Sequence, residues 1–448
     1  MSFDIYEPRI HLFAFSNKEN FDTSNKFYKT WIWHKCNKIV STITRQNFNI
    51  LEQINLDTSN TNLIKYFPAN DIYHPHFFDQ NNNHIPNHLN PNKNLILQHK
   101  NYNSIYAIQD DENYGLGLNL NHPTLANQKV EVSQLRFFNP DNILILGNEE
   151  DDKKNFVEQT LLITARIPEE DRDKTDRELK NIANECIRAL FQNHTNNQRN
   201  RYYNYYRLNN GMKKLFNSPI FEYGSLERNN ISLYKNIFVW LFYDEQERDK
   251  FYKNYNHFLD LFYYRAKITS ELKKIRHQEK LIRQDLKEIN DQIDSVNYHI
   301  KNNKATHKEL SFLKNKLIIL PKMAREYGKK VGRIFDLEFR TVIEDNMSFY
   351  NDELIDLVHK KVLNEKEFQY LIKFTEKACN KFLDKATATI KYFEYSSTRT
   401  DSAIASVRGQ IAIEQTELEI LRQELEKESQ YKQEITILAI GSGIAAGE

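Results

Sequence analysis

The chain has 448 residues, 40% of them hydrophobic and 27% charged, which suits a water-soluble fold with one large core or two to three smaller ones. Lys+Arg 62 against Asp+Glu 61 leaves a net charge of +1, which excludes a whole-molecule field for nucleic acid or anionic lipid. Cys36, Cys186 and Cys379 are odd in number and far apart, which argues against a disulfide framework or a Cys-based zinc site and suits a reducing compartment.

The N-terminus, MSFDIYEPRI, has neither the basic nor the apolar region of a signal peptide, so a cytoplasmic domain is expected. HLFAF at 11–15 reads as a strand, and residues 27–43, with Trp31, Trp33 and Ile39, as an amphipathic helix. On that helix His34 and Cys36 read as a packed pair. Residues 59–91 are rich in Asn, His and Pro and read as a long loop. Between 94 and 166 the short apolar runs NLIL, SIYAI, YGLGLNL, QLRFF, NILIL and TLLITARI predict strands, because each is too short for a stable helix. A helix is expected over 169–191 from the spacing of Leu179, Ile182, Cys186, Ala189 and Leu190. PIFEY at 219–223 and NIFVWLFY at 236–243 are further strands, the second apolar enough to be buried on both faces.

Glycine and proline then become rare: Pro321 is the only proline after Pro219, and no glycine lies between Gly224 and Gly328. Ile268, Leu272, Ile275, Ile282, Leu286, Ile289, Ile293, Val296 and Ile300 form a heptad seam broken only by Glu279. Counted backwards the seam reaches Leu261 and Phe258 with Arg265 as a misfit, predicting one helix over about 251–300, roughly 75 Å long. KNNKAT at 301–306 is the expected tip of an antiparallel hairpin, with Leu310, Leu313, Leu317 and Leu320 on the return and Pro321 kinking or stopping it. Asn364 and Glu367 form a capping box for the next helix. A further helix carries Ile404, Val407, Ile411, Leu418, Leu421, Leu425 and Ile435 in heptad spacing, with Glu414, Glu428 and Lys432 as polar members. Residues 435–447, ITILAIGSGIAAG, are uncharged but shorter than the roughly 20 residues of a membrane span. They are expected to begin a membrane helix that continues beyond this sequence.

Two stretches offer ligand chemistry. His74, His76, His84, His88 and Asp79 are metal-ligand types, but their spacing follows no zinc signature and an Asn-rich loop collects histidines by composition, so the loop is the better account. RNRYYNYYRLNNGMKK at 199–214 interleaves cations and aromatics: Arg199, Arg201, Arg207, Lys213 and Lys214 to neutralise phosphate, Tyr202 and Tyr205 to stack on a base. A nucleotide or other phosphate-containing ligand is the partner this implies, against a bland reading of packed tyrosines and solvated arginines. GxxxxGK[ST], HExxH and GxSxG are all missing, so neither catalysis nor a cofactor is expected.

The order of segments, NIFVWLFYDE entering a long helix and an apolar end, resembles the cytosolic region of CorA-like membrane proteins. That resemblance implies ion transport, without the GMN motif and with no functional residue to carry over. The resulting expectation is an α+β chain: an α/β sensor or ligand-binding domain with a mixed sheet over 1–245, an antiparallel helical bundle or coiled-coil stalk over 246–434, and the start of a membrane helix over 435–448. Its function would be that of a non-enzymatic, homo-oligomeric, membrane-tethered sensor or effector at the inner face of a membrane. A CorA-like channel, a soluble coiled-coil scaffold and a cryptic hydrolase are the alternatives.

Overall fold

The computed structural model describes residues 3–17, 31–44, 49, 65–68, 104–109, 113–122, 128–146, 156–191, 211–223, 236–302, 307–334 and 337–445. The chain is α+β and divides into two compact units, Met1–Lys274 with Glu338–Leu383, and Ile275–Leu337 with Asp384–Glu448. The first unit is therefore discontinuous in sequence and runs well past residue 245.

In the first unit, nine strands make one mixed sheet: β1 (Asp4–Asn17), β2 (Lys65–Pro68), β3 (Ser104–Gln109), β4 (Asn113–Asn121), β5 (Lys129–Glu131), β6 (Phe156–Arg166), β7 (Lys213–Leu215), β8 (Ser218–Tyr223) and β9 (Asn236–Phe242). The order is β2-β3-β4-β1-β6-β9-β8-β7, with β5 paired to the start of β1. Among the described residues only β6 and β9 run parallel. Ile10, Leu12 and Ala14 of β1 belong to the core shared with α1 (Trp31–Thr44) and α2 (Asp176–Leu190). His11, Phe13 and Phe15 alternate with them and face the other way, so β1 is buried on both sides.

That second face is aromatic. Phe251 of α3 (Glu245–Lys253) and Phe258 and Phe262 of α4 (Tyr255–Asn302) pack on it, with ring centroids 5.1 Å (Trp240–Phe251), 5.6 Å (Trp240–Phe258) and 4.9 Å (Phe13–Phe262). His11 lies beneath them, with Nε2 3.0 Å from Thr164 Oγ1 and Nδ1 3.2 Å from the Tyr255 hydroxyl. Burial, then the charge of Arg9, lowers its pKa well below the usual histidine value. Arg265, the misfit in the heptad, is buried beside Glu222, donates through Nε to Asn236 Oδ1 at 3.2 Å, and lies 4.1 Å from the Phe374 ring centre. Its side chain packs on the sheet and not in a helical seam.

Several expectations need correction. QLRFF lies in a 3₁₀ turn, Val132–Phe138, and NILIL forms turns as well. Asn139 and Gln159 take the hydrogen bonds a neighbouring strand would have taken: Leu144 N–H donates to Asn139 Oδ1 (2.9 Å), Leu146 N–H to Gln159 Oε1 (2.7 Å), and Gln159 Nε2 to the Leu144 carbonyl (3.0 Å). The expected loop over 59–91 contains β2. Helix α2 begins only at Asp176, behind a capping box of Thr175 and Glu178. The helix expected over 251–300 is divided at Asn254, and Asp244 caps the shorter piece by accepting from Glu247 N–H at 2.9 Å. On α1, His34 is exposed and Cys36 buried, so the two are not a packed pair. NLIL lies outside the described residues.

In the second unit, Ile282, Leu286, Ile289, Ile293 and Val296 of α4 share a core with Leu313, Leu320, Tyr327 and Val331 of α5 (His307–Ile334). Ile404, Val407 and Ile411 of α8 (Asn380–Ala445) complete it. The return is antiparallel, since Lys330 meets Asp285 at 2.7 Å while Lys316 meets Gln292 nearer the tip. Pro321 does not stop α5, because packing on both sides of it outweighs the missing amide donor. The first unit also holds α6 (Leu337–His359) from Glu338 onward and α7 (Glu365–Lys373). Asn364 and Glu367 form the expected capping box, and Glu367 also accepts from Phe216 N–H. A π turn, Phe374–Cys379, joins α7 to α8, which is one helix where two had been expected.

Candidate metal centre

On α4, His257 and Asp260 are one turn apart, and on α6 Glu353 and Asp356 are likewise one turn apart. Each pair is fixed by its apolar neighbours: Phe258, Leu259 and Leu261 are buried on α4, and Leu354 and Leu357 on α6. Donor atoms of His257, Glu353 and Asp356 lie within 4.8 Å of one another. His257 Nδ1 contacts Glu353 Oε1 directly, with the two side chains only 25% and 20% exposed.

Lys360 is the resident cation. Its Nζ lies 2.6 Å from Asp356 Oδ2 and 3.4 Å from His257 Nε2, and half of its side chain is exposed, so it is free to swing outward. The hydrogen bond from Lys360 is the main cause holding the Asp356 carboxyl below its ordinary pKa. Asp260 behaves oppositely: burial, then the neighbouring Glu353 charge, pushes its pKa up to about 6, against the smaller downward pull of His257. An extra positive charge at this point would oppose both effects by favouring the ionised carboxylate.

One imidazole and two carboxylates, with Asp260 adjacent, are a donor set for zinc, manganese or iron(II). Nitrogen and oxygen donors around tetrahedral zinc are about 3.3 Å apart, so closing the set requires side-chain shifts of the order of 1 Å. The chemistry supported is cation binding between two helices.

A second concavity, an open cleft of ≈ 400 Å³, is lined by Phe216, Asn217, Glu247, Lys250, Lys361 and Glu367 among others. Phe216 and Asn217 have φ of 53° and 61°, forming the tight turn between β7 and β8. The cleft mixes charges of both signs and presents no convergent donor set.

Of the cationic and aromatic residues proposed from the sequence, Lys213 and Lys214 lie on β7, the first half-buried and the second exposed. Lys214 Nζ is 6.0 Å from the Tyr243 ring centre. Arg199, Arg201, Tyr202, Tyr205 and Arg207 lie outside the described residues, as do His74, His76, Asp79, His84 and His88. Sequence reasoning missed the His257 cluster because His257 and Glu353 are 96 residues apart. The available signal was two acidic or imidazole pairs at helical spacing, a pattern that solvated helices also carry. No family model, curated protein sequence or solved structure matches the chain.

Proposed function

We propose that the chain is a non-enzymatic sensor or effector whose α/β unit binds a divalent transition-metal ion between α4 and α6. The observation that carries this is the convergence of His257, Glu353 and Asp356 donors within 4.8 Å from two separate helices. Binding would displace Lys360, ionise Asp260 and tie the two helices together, changing how firmly α6 is held on α4. The sheet leading into long helices supports a relay reading, and a stalk is the form that relay would take.

Calorimetric titration of the purified chain with Zn²⁺ and with Mn²⁺ tests the site. One ion per chain is expected, with affinity at least 10-fold weaker in His257→Ala and Glu353→Gln, and stronger in Lys360→Ala. Equal affinity and stoichiometry in both ligand variants would remove the site.

A second reading places the output at a membrane through residues 435–447. The exposed Ile437 and Leu438 near the end of α8 favour it. Among the described residues no helix is long and apolar enough to cross a membrane, so attachment through these residues alone would be interfacial. Flotation with anionic vesicles tests this, and a chain that stays at the bottom of the gradient counts against it.

A further inference from the structure

The heptad of α8 has two fates. Ile404, Val407 and Ile411 are buried in the three-helix core, and Glu414, next in the same register, is still 7% exposed. Beyond it the pattern continues through Leu418, Leu421, Leu425, Glu428, Lys432 and Ile435, yet Leu418, Leu421, Leu425 and Ile435 are 38%, 54%, 59% and 48% exposed. Every residue from 415 to 438 is exposed. The spacing that builds the core therefore runs on, unchanged, along a face with no packing partner among the described residues. A lone helix in water gains little from such a stripe, because its apolar positions stay hydrated.

We propose that this face is closed by a second copy of the chain, lying antiparallel, with Glu428 opposite Lys432 of the partner subunit. Charge decides both the occupant and the direction. The seam breaks its own apolar pattern with one acid and one base, spaced one helical turn apart and paired at 3.0 Å on their own helix. A parallel, in-register pair would set Glu428 against Glu428 and Lys432 against Lys432, two like-charge contacts in the centre of the seam. Reversing one copy so that 428 faces 432 converts both into opposite-charge contacts. The same register brings Leu425 of each chain onto Ile435 of the other, and Tyr431 to Tyr431 at the flank. An isologous two-fold contact results, in which the Glu428–Lys432 pair of each helix is set against the same pair of the other in reverse order. A flat lipid surface would have no use for that charge pattern, since it would leave Glu428 over the bilayer.

The test is sedimentation of the full chain at micromolar concentration. A dimer is expected; Leu421→Glu with Leu425→Glu is expected to give monomer with an unchanged circular dichroism signal from the sheet. Glu428→Lys should weaken the dimer at least 10-fold, and Glu428→Lys with Lys432→Glu should restore it. For direction, Ser429→Cys is expected to form an intermolecular disulfide under mild oxidation and Leu421→Cys is not. A monomeric parent overturns the proposal, and so does a monomer that binds vesicles. Cross-linking through Leu421→Cys but not Ser429→Cys overturns the antiparallel seam in favour of a parallel one.

Discussion

Asp260, beside the candidate cation site, is a residue whose ionisation couples folding to pH. Its carboxyl ionises near 3.8 in an unfolded chain and only at about 6 in the fold. Its contribution to stability is thus fullest below pH 4, and it is lost as pH rises from about 4 to 6, because the unfolded state releases its proton first. Asp260→Asn should stabilise the metal-free protein at pH 7.5 by about 1–2 kcal/mol, the full shift being discounted for partial exposure. Urea denaturation at pH 4.5 and 7.5 reads the effect, and an equal midpoint change at both pH values would disprove the assignment. Arg265 and Glu222 pose a different problem, a buried ion pair. Glu222→Leu leaves the guanidinium uncompensated and is expected to cost about 3–5 kcal/mol, whereas Glu222→Leu with Arg265→Met should recover most of that loss in the same denaturation assay. At this scale the sequence is partly readable. Arg265 is visible as a misfit in the heptad, but its partner is visible only after the sheet has placed Glu222 beneath α4.

Whether each element forms is decided by where its backbone hydrogen bonds go. The long strands β1, β6 and β9 are legible from apolar runs and α7 from its cap residues, while α2 is legible in its apolar spacing but not in its start. NILIL is as apolar as a strand, and nothing within it reveals that Asn139 and Gln159 will satisfy its backbone groups. Pro321 shows the same limit from the other side: local chemistry predicts an end, and packing carries α5 through. Since the carbonyl one turn earlier lacks its amide donor, Pro321→Ala should stabilise the second unit by about 1–3 kcal/mol. Thermal unfolding followed at 222 nm measures it, and a lower midpoint would mean that the proline shapes a bend the packing requires.

At the scale of the whole chain, the seam of the long helix changes character at the boundary between units. Through Phe258, Phe262 and Arg265 it lines an aromatic face of the sheet, and from Ile282 it forms an ordinary helical core. A uniform heptad count conceals that change, which is why a division near residue 245 is the natural reading of the sequence. Residues 338–383 supply Tyr350 and Leu371 to the layer over Trp240, Phe258 and Leu261. A fragment of residues 1–274 should therefore aggregate, while co-expression with residues 338–383 should yield soluble protein retaining the near-ultraviolet signal of buried tryptophan. Soluble, monomeric 1–274 on its own would refute this dependence.

The interrupted first unit also sets a timetable on the ribosome. When Lys274 leaves the exit tunnel, every described strand has been made but Leu371 of the aromatic layer is still about 100 residues away. At roughly 5–20 residues per second the wait is about 5–20 s, long compared with hydrophobic collapse. Through that interval the sheet carries an open apolar flank that a holdase chaperone would recognise, and synonymous codons that slow translation between 275 and 337 should lower the soluble yield.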